Sequence, residues 1–563
     1  MADSIHYSNS LNLIELCETS PELANDIILN PLKYSTMLRN QLDGIPTCIF
    51  LSTPLSTRHL NKIVKVSGSI IKTYPIYFKN VTTEHLCLNC NDTSQLTEQD
   101  VAKSKAAKIC YACGSQNIKI SQNFIKSFPT QNIRIQDMSN SRSMSETIEI
   151  SIEGTKAGLF LPGDKISVTG IVMRKWKQLR VNEPMISSIY IKELQIVKDN
   201  SEDDEFSEIK TLIDEYTAKS RLERLKFIVN SFSPEIFGHE NVKLGLLLAI
   251  IGGSVDNKDT GASRANSHVL LVGDLGTAKS FLLKAVSKLV SPSIFTNGVG
   301  TSDAGLTSCA VRQGKEWSLE AGALVLADNG ICCIDEFNQL KVNEKGGLLE
   351  AMEQQTISVA KAGMVTSLNT RCSVLAAAST RYGYDFNRSI CDNIGIASPL
   401  VTRFDLIFGI FDRNCRSNDP EIIDHIFNRD MPQKFPETIK WSSSTLKAYI
   451  TQCRKKKNKI DEENCQLLLK YYTKKRSKDG VSEYNTIRML ESLVRLTEAH
   501  SKLMNEDFVT NDDAFMAIIL LETCINNSSS IKFDFVRIFE DKSYFQTVKS
   551  KISLEFNLEA SSL

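Results

Sequence analysis

Val269-Leu-Leu-Val-Gly-Asp-Leu-Gly-Thr-Ala-Lys-Ser280 is the stretch that decides the fold. Four apolar residues fit a short buried strand, the glycines fit a tight loop, and the apolar periodicity from Phe281 onward fits a helix. Strand, glycine loop and helix in that order form a phosphate cradle. Backbone N–H groups of Gly273, Asp274, Leu275, Gly276, Thr277 and Ala278 converge at a helix N-terminus, Lys279 reaches the β- and γ-phosphates, and the Ser280 hydroxyl coordinates Mg²⁺. Ala278 stands where the G-x-x-x-x-G-K-S pattern has its second glycine. The plain alternative is a turn that happens to hold a lysine.

A second stretch weighs against that alternative. Gly330-Ile-Cys-Cys-Ile-Asp335-Glu336 is an apolar strand ending in two acids, the pattern that holds Mg²⁺ on the first (Asp335) and orients and deprotonates the attacking water with the second (Glu336). Pro399-Leu-Val-Thr-Arg403-Phe-Asp-Leu406 opens a further strand with an arginine at its start. Arg403 can serve as an arginine finger on a neighbour's γ-phosphate, which would require a ring of subunits.

The whole chain has 563 residues, more than a single core serves, so several domains are expected. Hydrophobic residues make up 42% and charged residues 23%, and 66 basic residues balance 66 acidic ones, so any nucleic-acid contact must come from local patches. The first thirty residues lack the basic and apolar regions of a signal peptide, and no apolar run is long enough for a membrane helix, so no membrane partner is expected. Fifteen cysteines without a secretory signal point to a reducing compartment, with thiols free or on metal. Cys87, Cys90, Cys110 and Cys113 form two C-x-x-C pairs, the spacing of a closed tetrahedral zinc knuckle. The remaining cysteines read as small buried apolar residues.

The acidic run at 198–208 reads as a linker. Before it, Ile63–Ile71, Glu146–Ile152 and Asp164–Val172 carry strand patterns, with helical spacing over Leu11–Leu42. After it, helices alternate with short apolar strands, the signature of a mostly parallel α/β sheet, and from about 443 to 526 the pattern is helical only. The expected boundaries are a helical cap at 1–55, a β-rich domain with the zinc knuckle at 56–197, the linker, an α/β motor at 209–440, a helical lid at 441–530 and a short tail at 531–563.

Together these blocks resemble the minichromosome maintenance (MCM) DNA helicases. The resemblance covers roughly residues 40–525 and is carried by Gly273–Ser280, Leu319–Asp328, Cys332–Phe337 and Thr402–Asp405. Asp335–Asn338, Glu350–Gly363, Leu368–Arg371 and Gly170–Trp176 look most like the family's ninth paralogue, the recombination-repair branch that partners the eighth. It implies an α/β AAA+ P-loop ATPase domain with a helical lid, preceded by a β-rich N-terminal OB-fold domain with a zinc knuckle and a small helical cap. ATP, magnesium and zinc are the implied cofactors. The implied activity is ATP-driven translocation on single-stranded and forked DNA as a hexameric ring, with the eighth-paralogue subunit or with itself, in the nucleus.

The same resemblance places Lys361 at the tip of a DNA-contacting hairpin, and the plain alternative is a solvated turn lysine. Arg488 matches the sensor-two arginine that touches an adjoining subunit's nucleotide. Arg174, Lys175, Lys177 and Arg180 around Trp176 can track a single strand, or can be a solvated hairpin. The runs Arg454–Lys457 and Lys474–Arg476 read as import signals or as exposed helix faces. Ser379 stands where the family has its sensor-one asparagine, so a shorter donor must act on the γ-phosphate or the lytic water, and slow hydrolysis follows. The competing reading is an ATP-binding structural or loading subunit whose partner supplies hydrolysis. A weaker one is an AAA+ transcriptional or remodelling factor.

Overall fold

The computed structural model describes most of residues 57–198, 220–254, 264–411 and 441–556, with short gaps inside those ranges. Of the expected cap and linker, only Ile49, Phe50, Leu55 and Lys198 fall among the described residues. The chain divides into two compact units: 1–200 with 309–321 and 360–364, and 201–308 with 322–359 and 365–563.

The sheet of the first unit has eleven strands among the described residues, eight of which are β1 (Ile63–Thr73), β2 (Tyr77–Cys87), β3 (Thr93–Thr97), β4 (Ile118–Ile120), β5 (Lys126–Gln136), β6 (Thr147–Glu153), β7 (Lys165–Trp176) and β8 (Ser187–Lys198). Pairing runs β1-β7-β8-β6-β5 and returns to β1, which closes a five-stranded barrel. Closure removes the sheet edges, and the barrel interior is filled by alternating residues such as Val64, Val66, Ile133, Ile150 and Val168. The β6–β8 pair is parallel and the other barrel pairs are antiparallel. At Gly170, where β7 slips register against β8, a Cβ would sit 2.5 Å from the Lys192 carbonyl oxygen, so only glycine permits the crossing. The strand Glu316–Ala321 extends the sheet along β1, pairing Leu319 with Thr73 and Glu320 with Lys72. Lys72 is buried, and its ammonium lies 2.6 Å from Glu320, which offsets the cost of burying the charge. Beyond the barrel, β2 pairs with β3 and β4 to carry the cysteine module.

The remaining strands are β9 (Val269–Gly273), β10 (Ser293–Asn297), β11 (Ile331–Asp335), β12 (Thr356–Lys361), β13 (Met364–Asn369), β14 (Ser373–Ser379) and β15 (Leu406–Ile410), all in the second unit except residues 360–364, where β12 ends and β13 begins. Five of these form a sheet in the order β10-β11-β14-β9-β15, parallel throughout, while β12 and β13 pair separately. Val269–Gly273 is buried at every position, as expected for a parallel strand covered on both faces. The longer helices are α1 (Arg221–Ser231), α2 (Glu240–Ile251), α3 (Lys279–Leu289), α4 (Lys345–Gln354), α5 (Ser443–Lys455), α6 (Glu462–Asp479), α7 (Ile487–Leu503), α8 (Asn511–Glu522), α9 (Phe535–Glu540) and α10 (Lys542–Glu555).

One apolar cluster runs from α2 and β9 through the lid helices to α10. The block expected as a short tail therefore contains two packed helices. Phe535, Ile538, Phe539, Phe545, Val548 and Ile552 recur at three and four and are buried, so this segment completes the core of the second unit.

Candidate nucleotide and zinc sites

The C-terminal ends of β9, β11 and β14 lie side by side, where open α/β sheets place their ligands. From β9 the chain turns at Gly273, whose Cβ would stand 1.9 Å from the Ile410 carbonyl oxygen, so the loop begins where only glycine fits. It enters α3 through Ala278, at φ 60° and ψ 13°. That left-handed geometry costs alanine about 1 kcal/mol relative to glycine, and it is the position where the sequence departs from the pattern. Lys279 is 6% exposed. Its ammonium donates to the Gly273 carbonyl at 3.1 Å, to Thr277 Oγ1 at 3.1 Å and to the Asp274 carbonyl, and burial lowers its pKa. The lysine is thus curled over its own loop, bonded to groups that a phosphate would replace. Leu275 at the crest is 82% exposed, and Ser280 follows as the second residue of α3.

Asp335 ends β11, and Glu336 follows in the left-handed region at φ 52°, exposed. The Glu336 N–H donates to Asp335 Oδ1 at 3.0 Å. Ser379 ends β14 in register with Gly273. Thr380 closes the junction, its N–H donating to the Gly273 carbonyl at 3.2 Å and its hydroxyl to Asp274 Oδ1 at 3.0 Å. Asn338 donates to the Ser379 carbonyl at 3.3 Å, and its buried Oδ1 accepts no hydrogen bond among the described residues. The structure therefore brings together Lys279, Asp335, Glu336 and Ser379.

Arg403 stands elsewhere. It precedes β15, whose first residue, Leu406, pairs with Val269, whereas the P-loop leaves at the other end of that pair, beside Ile410. Five residues of strand separate those ends, about 13 Å or more at roughly 3.3 Å per residue. Arg403 bonds the Pro399 carbonyl at 2.8 Å and the Glu353 carboxylate, whose other oxygen takes Arg488 at 2.5 Å. The two arginines singled out in the sequence thus meet on one carboxylate.

Sequence reasoning missed Glu353, and it missed the cluster behind it. Asp405, 3% exposed, accepts from Arg495 at 3.0 Å, Arg264 at 3.3 Å and the His268 N–H at 2.8 Å. Burial opposes its ionisation, but Arg495 and Arg264 outweigh it and hold the carboxyl below the ordinary value. Arg264 also donates to the Met352 carbonyl at 2.7 Å. Burial, with Arg264 nearby, pushes His268 down to about 3, so the ring is neutral. Its Nδ1 accepts from the Val374 N–H, which leaves Nε2 to donate to Met352. The available signal was the Arg-x-Asp spacing of Arg403 and Asp405 and the two-turn spacing of Arg488 and Arg495.

In the first unit, the Cys87 and Cys113 sulfurs lie 3.5 Å apart, those of Cys90 and Cys110 lie 3.6 Å apart, and all four fall within 4.8 Å of one another. A tetrahedron of thiolates at the usual Zn–S length has edges of about 3.8 Å. That fits zinc, and the separations are too long for disulfides. Backbone N–H groups of Cys90 and Asn89 lower the Cys87 thiol to about 6, toward the thiolate a metal takes. Burial instead pushes Cys333 up to about 12, as befits an inert core thiol.

The MCM OB domain matches residues 53–175, the MCM P-loop domain 210–430 and the MCM AAA-lid domain 444–525. The chain belongs to the minichromosome maintenance family. It is similar to "Probable DNA helicase MCM9" of Oryza sativa subsp. indica, 33% identical over 503 residues, 84% of this chain and 74% of that one. It is also similar to "DNA replication licensing factor mcm7" of Xenopus tropicalis, 35% identical over 411 residues, 70% of this chain and 56% of that one. "Minichromosome maintenance protein MCM" of Saccharolobus solfataricus is 31% identical over 550 residues, 92% and 79% of the two chains.

In this MCM chain Arg174 and Lys175 are both exposed near the end of β7, but as consecutive strand residues they face opposite sides, so they do not form one stripe. Lys177 and Arg180 lie outside the described residues, as does the side chain of Lys361, the last residue of β12. Neither basic run is a plain solvated stretch. Lys475 is buried against Glu522 at 2.9 Å, Lys456 donates to the Asn505 carbonyl at 2.9 Å, and Arg454 donates to the Asn329 carbonyl at 2.8 Å. No helix among the described residues is long and apolar enough to cross a membrane.

Proposed function

We propose that this MCM protein is a ring subunit whose ATP sites are shared between neighbours, and that the ring serves recombination repair of DNA. That it is an ATP-dependent DNA helicase subunit rests on its three family domains in order and on relatives named DNA helicases. The observation that carries the shared site is the placement of Lys279, Asp335 and Glu336 at one end of the sheet and of Arg403 at the other. A finger that precedes β15 would serve a phosphate on the next subunit.

Lys279 would release its loop carbonyls and bind the β- and γ-phosphates, with loop N–H groups and the α3 N-terminus completing the cradle. Ser280 and Asp335 would hold Mg²⁺, which would supply positive charge against the negative charge developing on the phosphates. Glu336 would orient the water that attacks the γ-phosphorus and take its proton as the bond to ADP breaks. Arg403 and Arg488 of the adjoining subunit would meet the charge on the equatorial oxygens. The likeness of Asp335–Asn338 and Glu350–Gly363 to the ninth paralogue supports the repair role, an eighth-paralogue partner and a nuclear site of action. The four cysteines would fold their module around zinc.

The test is single-strand-stimulated ATP hydrolysis and forked-duplex unwinding by the chain alone, with an eighth-paralogue partner, and with Glu336→Gln. Loss of both activities in Glu336→Gln supports the motor. Undiminished rates would assign hydrolysis to the partner and leave this chain a structural or loading subunit, the reading that Ser379 favours.

A further inference from the structure

The pairing of Arg403 and Arg488 is made by one side chain. Glu353, the penultimate residue of α4, gives one carboxylate oxygen to each guanidinium. Two guanidiniums held on one carboxylate repel, and an anion between them with two acceptor oxygens turns the repulsion into a shared fork. Arg403 beside it lowers the Glu353 carboxyl, so the anion is present throughout the neutral range.

Each member of the fork is anchored to the same buried hub. Met352, immediately before Glu353, is fully buried and gives its carbonyl to Arg264 and His268. Asp405, two residues after Arg403, binds Arg264, Arg495 and the His268 N–H. Arg495 lies two turns beyond Arg488 on α7. The three backbones therefore cannot drift independently. The side chains remain partly open to solvent, at 15% for Arg403, 35% for Arg488 and 46% for Glu353, so another anion can approach.

We propose that Glu353 is a positioning residue that holds Arg403 and Arg488 together until a neighbouring subunit's γ-phosphate replaces it as their shared anion. This rests on the shared-site reading above. A carboxylate and a phosphate present matching pairs of oxygens to guanidinium, and the phosphate carries the greater charge, so exchange runs in its favour once the neighbour docks. Glu353 keeps the arginines from spreading while the edge is unfilled.

The test uses the assembled full chain, with its MCM partner if assembly needs one. Glu353→Ala is expected to lower kcat about tenfold while leaving the affinity of a fluorescent ATP analogue for the P-loop within about twofold. Glu353→Gln, which keeps an acceptor and loses the charge, falls between and covers the case in which the alanine variant does not fold. An equal mixture of Glu353→Ala and Lys279→Ala chains should exceed the summed activity of the two alone, because P-loops of the first meet intact arginines of the second. A merely structural role would not give that recovery. If kcat is unchanged in both Glu353 variants, or the mixture shows no gain, the proposal fails. Arg403→Ala separates the two readings: its loss beside an active Glu353→Ala overturns only the positioning role, whereas an active Arg403→Ala overturns the shared site itself.

Discussion

Replacing Asp405 by alanine should lower the melting temperature by about 10 °C, more than any surface substitution would. The carboxylate is 3% exposed and faces two guanidiniums whose side chains are 6% and 14% exposed, Arg495 and Arg264. Removing one member of a buried ion cluster leaves the others without a counter-charge, which costs roughly 3–5 kcal/mol. The His268 N–H also loses its acceptor, at about 1–3 kcal/mol if water does not enter. The lower sum of about 4 kcal/mol corresponds to roughly 8–16 °C for domains of a few hundred residues. Asp405→Asn, which keeps an acceptor for His268 but loses the charge, should fall between. The pH dependence has a definite sign: the folded carboxyl is depressed below 3.8, so its stabilisation is fully present above that value and is lost as pH falls through the folded pKa. Differential scanning fluorimetry across pH 3–8 reads both effects. A midpoint for Asp405→Ala within about 2 °C of wild type at neutral pH would refute the buried-cluster account.

Other expectations are simpler. Metal analysis of the purified chain should find about one zinc per polypeptide, and Cys87→Ser should release it and expose the module around β2 to protease; a metal-free, folded wild type would contradict the geometry. Ala278→Gly should raise the melting temperature by about 2–4 °C, because the left-handed backbone no longer carries a Cβ; no change would mean that the loop relaxes around alanine. Ser379→Asn should raise ATP turnover by about 2- to 10-fold, the part of a direct amide donor that a bridging water does not already supply. An equal or lower rate would remove Ser379 as a limit on hydrolysis.

The sequence announces features whose physics is local. Val269–Ser280 and Ile331–Glu336 are continuous runs in which strand, loop and charge occur within a dozen residues, and both sit where the periodicity placed them. Three barrel strands were legible from β-branched alternation between glycines. What stayed hidden depends on crossovers. Glu353 meets Arg488 across 135 positions, and Asp405 meets Arg264 across 141. No window of sequence contains both partners, and each charge alone reads as surface. The Glu316–Ala321 strand is hidden for the same reason, since its partner is β1. The helices α9 and α10 carry a visible three-four apolar spacing, but expecting the fold to end with the lid left that spacing unread.

If the proposed shared site holds, a sheet that receives nucleotide at one end and offers arginines at the other has a direction. Two copies of such an object cannot satisfy each other symmetrically; they join head to tail, and the chain of contacts either bends round until it closes or grows on as a filament. Polarity also sets how damage spreads. On that reading, a subunit with a ruined P-loop would spoil the site it owns and still complete the one behind it, whereas a subunit with a ruined arginine edge would do the reverse. Two alleles defective at opposite edges can therefore complement in one assembly, although neither supports any turnover by itself.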